Sequence, residues 1–193
     1  MMKRNGFTLI ELIITLIVMG VAAAIVIPGF QYVARSNRVT ANTNDFVTAL
    51  SLARSTAVTR GRRAILCQSD EFDASQAANR SCTGGTKWDL GFILWVDDNG
   101  DGATQPDEVV RVWQALDDND GTDDADLGPV SDTASGFGSG SATRVTYTPT
   151  GRLNGPALMF RLQPGDCGGQ DFARLISIPI GGRPSSKGNQ KCV

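Results

Sequence analysis

The chain has no histidine among its 193 residues. That removes the side chain that most often acts as a general base near neutral pH, and the commonest metal ligand with it. Cysteine is sparse: Cys67, Cys82, Cys167 and Cys192, with no Cys-x-x-Cys pair. A zinc site of the usual spacing is therefore not expected, whereas spacings of 15 and 25 residues fit two local disulfide loops. The pairing expected is Cys67–Cys82 with Cys167–Cys192, each within its own region, and it needs an oxidising compartment. No Gly-x-Ser-x-Gly occurs, and with neither histidine nor a spare thiol the chain does not read as an enzyme. Basic residues are nearly missing from one stretch. Between Asp97 and Asp132 lie 12 of the 20 acids and a single base, Arg111, so this stretch carries −11 and the remainder +9. Such blocks belong to separate faces or loops. Aromatics are few, at 7 %, but hydrophobic residues at 41 % are enough for one domain with a modest core.

Charge is also missing from Leu12 to Ala34, a run rich in Leu, Ile, Val and Ala. That length spans a bilayer, which takes about 20 residues. Lys3 and Arg4 before it would keep the extreme N-terminus cytoplasmic. An ordinary secretory signal would end in a small-residue cleavage site after the apolar core, but Pro28-Gly29-Phe30 runs on into more helix-like sequence. Glu11 stands at the edge of the apolar run, where a carboxylate is costly and needs a partner.

The stretch Gly6-Phe7-Thr8-Leu9-Ile10-Glu11 resembles the prepilin cleavage motif of type IV pilins and type II secretion pseudopilins. The resemblance implies cleavage after Gly6 by a prepilin peptidase and N-methylation of Phe7. It also implies that Glu11 meets the N-terminal amine of a neighbouring subunit during assembly. An amine and a carboxylate neutralise each other in an apolar filament core, which is the physical sense of such a pair. The partners implied are other pilin subunits through the N-terminal helix, the peptidase, and the inner membrane before assembly. The head would stand in the periplasm.

Beyond Arg35 the pattern becomes amphipathic. Val39, Thr43, Phe46, Leu50, Ala53 and Ala57 recur at steps of three and four and make one helical face. Gly61 is a natural stop. A helix over 7–61 would be roughly 80 Å long, with Pro28 and Gly29 as a place to bend. Its part over 7–34 would serve the membrane and the filament core. Residues 1–6 would be the leader and 62–193 a β-rich head. Strands are expected at 62–68, 90–96, 109–116, 144–148, 158–163 and 175–180, from alternation such as Val145 and Tyr147 against Arg144, Thr146 and Thr148. Residues 117–142, rich in Asp, Gly, Ser and Thr, read as a long acidic loop. The fold class is α+β, a pilin fold with one long N-terminal α-helix against an antiparallel β-sheet head.

Two head segments resemble the GspH/FimT group. One is the hairpin Phe92-Ile93-Leu94-Trp95-Val96-Asp97-Asp98-Asn99-Gly100-Asp101-Gly102 followed by Glu108-Val109-Val110-Arg111-Val112. The other is Thr148-Pro149-Thr150-Gly151-Arg152. The group implies a minor pilus subunit of structural or priming role, with a DNA-uptake pilin or a secretion pseudopilin as alternatives. Asp97, Asn99, Asp101 and Glu108 also match the calcium-loop spacing D-x-N-x-D-G-x5-E. Apolar strands flank them, however, so an Asn-Gly/Asp-Gly hairpin turn is the favoured reading and no cofactor is required. Arg152, Arg174, Arg183, Lys187 and Lys191 are the candidate contacts to DNA phosphates, since no acid follows Asp171. Gly182-Arg183-Pro184-Ser185 lacks the second Arg of the Gly-Arg-x-Arg motif associated with DNA binding in some members of that group. Residues 181–190 read as a loop closed by Cys167–Cys192.

Overall fold

The computed structural model describes residues 8–69, 81–116, 125–130, 140–165, 167 and 169–192, with the backbone alone for Pro28, Gln31 and Asn189. The helix α1 runs Leu9–Arg60, and Gly61 ends it at φ +64°, a left-handed conformation that suits glycine at a helix end. The chain divides into two compact units, Met1–Asn37 and Arg38–Val193. In the first, the described part of α1 is apolar and exposed: Leu9, Ile10, Leu16, Ile17, Met19, Val21 and Ile25 all lie open. It is long and apolar enough to cross a membrane.

In the second unit α1 supplies one wall of the core. All six residues of the expected face are buried, and Ala49 joins them. Thr43 can lie in this apolar seam because its hydroxyl donates to the Val39 carbonyl at 2.6 Å. Two antiparallel sheets complete the core. The first has the order β3-β2-β1-β5, with β1 Arg63–Gln68, β2 Phe92–Asp97, β3 Val109–Trp113 and β5 Arg144–Tyr147. The second has the order β4-β6-β7-β8, with β4 Ala125–Val130, β6 Leu158–Pro164, β7 Ala173–Ile178 and β8 Ser185–Gln190. Phe46 sits where helix and sheets meet. Its ring lies 5.8 Å from Trp88, 5.4 Å from Phe92 and 5.1 Å from Phe160, each edge to face.

Six strands fall where they were expected, within two or three residues at the ends. Two strands were not expected. β4 lies inside the supposed acidic loop over 117–142. Its sequence, Ala-Asp-Leu-Gly-Pro-Val, is poor in strand formers, but Leu127 is fully buried and pairs in register with Leu162 of β6. β8 occupies what read as the loop 181–190. Its Ser, Lys, Gly, Asn and Gln carry no apolar signal because an edge strand can be held by backbone pairing alone, here to β7. Both disulfides are as expected. Cys67–Cys82 has a Cα separation of 5.5 Å, and Cys167–Cys192, at 6.4 Å, ties the chain just past β8 to the β6–β7 connection. Around the first, Ile65, Cys67, Ile93 and Trp95 form a small second core on the opposite face of the first sheet. The Trp95 indole N–H points to the Cys82 sulfur at 3.3 Å.

Candidate functional site

Gly6 and Phe7 lie outside the described residues, and Glu11 opens the exposed first turns of α1. The Thr8 hydroxyl accepts the Glu11 backbone N–H at 3.3 Å, so Thr8-x-x-Glu11 begins the helix as a capping pair does. Glu11 thus stands in the first turns of an apolar, exposed helix.

The β2–β3 turn engages its own acids. Asp97, at 2 % exposure, is ion-paired with Arg63, and its other oxygen accepts the Gly102 amide at 3.3 Å. Asp101 accepts from the Ala103 amide at 2.8 Å, the Asn99 side chain at 3.0 Å and Gln105 at 2.8 Å. Glu108, 4 % exposed, takes the amides of Asp98 at 3.0 Å and Asn99 at 3.4 Å on Oε1, while Oε2 is buried without a partner. Gly100 and Gly102 supply the two left-handed positions, at φ +83° and +75°. Asp97, Asn99, Asp101 and Glu108 thus serve backbone amides and Arg63. Among the described residues no group of three or more His, Cys, Asp or Glu side chains is placed to hold a metal ion.

The five cations named for DNA divide between two places. Gly182 approaches Gly151 so closely that a Cβ at Gly182 would lie 2.2 Å from the Gly151 carbonyl oxygen, which sets the turns carrying Arg152 and Arg183 side by side. Arg54 holds this junction from α1, donating to the Gly151 carbonyl at 2.9 Å and the Gly181 carbonyl at 3.4 Å. Its role left no mark in the sequence, because it follows from two glycine turns about 100 residues away. Arg174 lies on β7, reaching Thr40 at 3.5 Å and lying beside Gly188. Lys187 projects from β8, and Lys191 follows it; both are exposed.

One acid is held against its preference. Burial raises the Asp89 carboxyl above the ordinary aspartate value, and the Asp126 charge adds to this, although the amides of Asp89 and Leu127 act the other way. Its Oδ1 is buried and has no hydrogen-bond partner among the described residues. A raised native pKa means that the folded chain binds the proton more tightly than the unfolded one. This contribution is fully present below the unfolded value of 3.8 and is lost as pH rises through the folded value. Asp89→Asn is therefore expected to raise the melting temperature at pH 7, with a gain that shrinks on acidification towards pH 3.8. Thermal melts of both chains from neutral to acid pH check this, and a pH-independent difference would contradict it.

A long helix with an exposed apolar start, laid at its other end on two antiparallel sheets, defines the class: a pilin-like protein. Residues 42–181 match the family model of the type II transport protein GspH, and residues 1–27 match the prokaryotic N-terminal methylation motif. The chain belongs to the GspH family. No curated protein matches it in sequence. Among solved structures, it is similar to the type IV minor pilin FimU of Pseudomonas aeruginosa. In one crystal form of FimU the identity is 19 %, covering 80 % of this chain and 92 % of that one, with a TM-score of 0.51. In a second form the identity is 18 %, the coverage 79 % and 94 %, and the TM-score 0.48. The first of these likenesses establishes the pilin fold.

Proposed function

We propose that this protein is a minor subunit of a type IV pilus, made as a prepilin and built into the filament through α1. The observation that carries the reading is the exposed apolar start of α1, with Glu11 at its edge, joined to a head that has its own core from Val39 onward. An apolar surface of that size must be covered, by lipid before assembly and by neighbouring helices afterwards. The methylation motif and the GspH family membership support processing at the Gly6–Phe7 bond. The reading is structural: the chain contributes a surface to an assembly and transforms no substrate. The inner membrane is its station before assembly, with the head in the periplasm, where an oxidising compartment suits both disulfides.

Processing is directly testable. Protein recovered from filaments is expected to begin at N-methylated Phe7, so its intact mass should lack residues 1–6 and carry one methyl group. Assembled protein that still carries Lys3 and Arg4 would sink the reading. Incorporation into a secretion pseudopilus in place of a surface pilus would correct the filament type and leave the subunit role standing.

A further inference from the structure

The head meets some of its cations with its own acids. Arg60, the last residue of α1, pairs with Asp98 at 3.2 Å, and Arg63 is ion-paired with Asp97. Arg54 and Arg183 stand apart from these acids. They line an open cleft of about 610 Å³ between α1 and the turn that joins β7 to β8. Arg54, Val58 and Thr59 of α1 form one wall, and Arg183 and Pro184 form the other. No acid lines the cleft, and among the described residues no carboxylate pairs with either guanidinium.

The carbonyls of Gly151 and Gly181 fix the Arg54 guanidinium through Nε and one terminal nitrogen. A carbonyl carries no net charge, so this cation is hydrogen-bonded without being neutralised. Arg183 is exposed beside it, and Arg152 stands exposed on the adjoining turn. Ser51 and Ser55 turn their hydroxyl hydrogens back to the carbonyls of Val47 and Leu52, at 2.8 and 2.9 Å. The guanidiniums are therefore the donors left for an anion, and such a fork takes a carboxylate on two bonds at once. Val58, 53 % exposed, and Pro184 set apolar surface next to the charges, and no aromatic ring lines the cleft for a base to stack on. That mixture suits an acidic protein segment better than a nucleic acid.

We infer that this cleft takes the carboxylate of an aspartate or glutamate on a neighbouring subunit that is not a copy of this chain. The inference rests on the filament reading above. α1 is the element by which the subunit joins others, and the wall of the cleft belongs to its second half, so the cleft continues that interface. A minor subunit is surrounded by subunits of another kind, which makes the partner a different chain. An acid seated between Arg54 and Arg183 supplies the counter-charge that the head itself does not, and a base at that place is repelled, so the cleft also selects its neighbour.

The test is zero-length carbodiimide coupling, which joins an amine to a carboxylate only in direct contact. The amine nitrogen displaces the activated carboxylate oxygen, an amide forms, and the carbodiimide leaves as its urea. Filaments are sheared from cells making the full-length chain with Arg183→Lys, a change at an exposed position that leaves the fold intact. Arg54 is not altered, because it also holds the turns at Gly151 and Gly181 together. Mass spectrometry of the coupled filaments is expected to find position 183 joined to an aspartate or glutamate of a different subunit. Arg183→Glu should lower the amount of the chain in filaments about tenfold, equivalent to about 1.4 kcal/mol, at an unchanged membrane level. Arg183→Lys should hold it near the parental amount. Coupling of position 183 only within its own chain or to a second copy, no adduct in filaments that contain the variant, or Arg183→Glu at the parental level overturns the inference. So does an Arg183→Glu chain that assembles normally but loses binding to duplex DNA, which would give the cleft to nucleic acid. The filament reading is judged separately, by cleavage before Phe7. A chain cleaved and incorporated without the adduct sinks the cleft alone, whereas an uncleaved chain missing from filaments sinks the filament reading and this inference with it.

Discussion

Glu11→Ala is expected to leave the protein in the membrane and to remove it from filaments. The apolar run from Leu12 to Ala34 is untouched by the change, so insertion, which depends on length and hydropathy, survives. The variant takes away the carboxylate in the exposed first turn of α1, whose backbone amide is capped by Thr8. A neighbour's N-terminal amine brought into the filament core would then be buried unpaired. Breaking a buried ion pair from one side costs about 3–5 kcal/mol, enough to reduce incorporation roughly 100-fold or more. Immunoblots of membranes and of sheared filaments check both halves of the expectation. Glu11→Asp, which keeps the charge but shortens its reach, should fall between the two. Filaments carrying Glu11→Ala at the parental level would show that the carboxylate has no part in assembly.

Phe46→Ala should destabilise the head more than any surface change. Phe46 is fully buried and makes edge-to-face contacts with Trp88, Phe92 and Phe160, so it joins α1, the short turn Trp88–Leu90 and one strand from each sheet. Truncating a buried phenylalanine costs about 3–5 kcal/mol through lost transfer energy and the cavity left behind. For a head of this size that is a fall of about 10 °C in melting temperature. Fluorescence of the buried Trp88 during urea unfolding provides the signal, with the midpoint expected to fall and the slope to hold. Phe46→Leu should cost about half as much. A loss below about 1 kcal/mol for Phe46→Ala would mean that the neighbouring rings collapse into the space.

These two positions differ in how visible they are before the fold is known. Glu11 stands out because local chemistry alone makes a carboxylate beside an uncharged run of 23 residues anomalous. Phe46 is visible as one of six residues at helical spacing, but its three aromatic partners lie 42 to 114 residues away and no local pattern names them. The same contrast runs through the head. β5 and β6 alternate strongly enough in sequence to be read directly, because the pleat has a period of two, although β6 is buried on both faces. β4 and β8 do not. β4 contains Asp126, Gly128 and Pro129 and becomes a strand only because Leu127 finds Leu162 and Asp89 meets its free edge. The acidic turn was legible as a glycine hairpin, while the sharing of its acids among Arg63 and four backbone amides depends on how β1 lies beside β2.

Sequence alone determined the apolar N-terminal run, the buried face of α1, six of the strands and both disulfides, because each is written locally: a charge-free run, a period of 3.6, short apolar or alternating segments, and cysteines close along the chain. Tertiary structure decided which strands stand at the ends of each sheet, and where the cations stand. It also decided that Arg54 would bind two glycine turns far along the chain. Those outcomes depend on pairings between segments separated by tens of residues, whose free energy comes from burial and backbone hydrogen bonding that neither partner shows by itself.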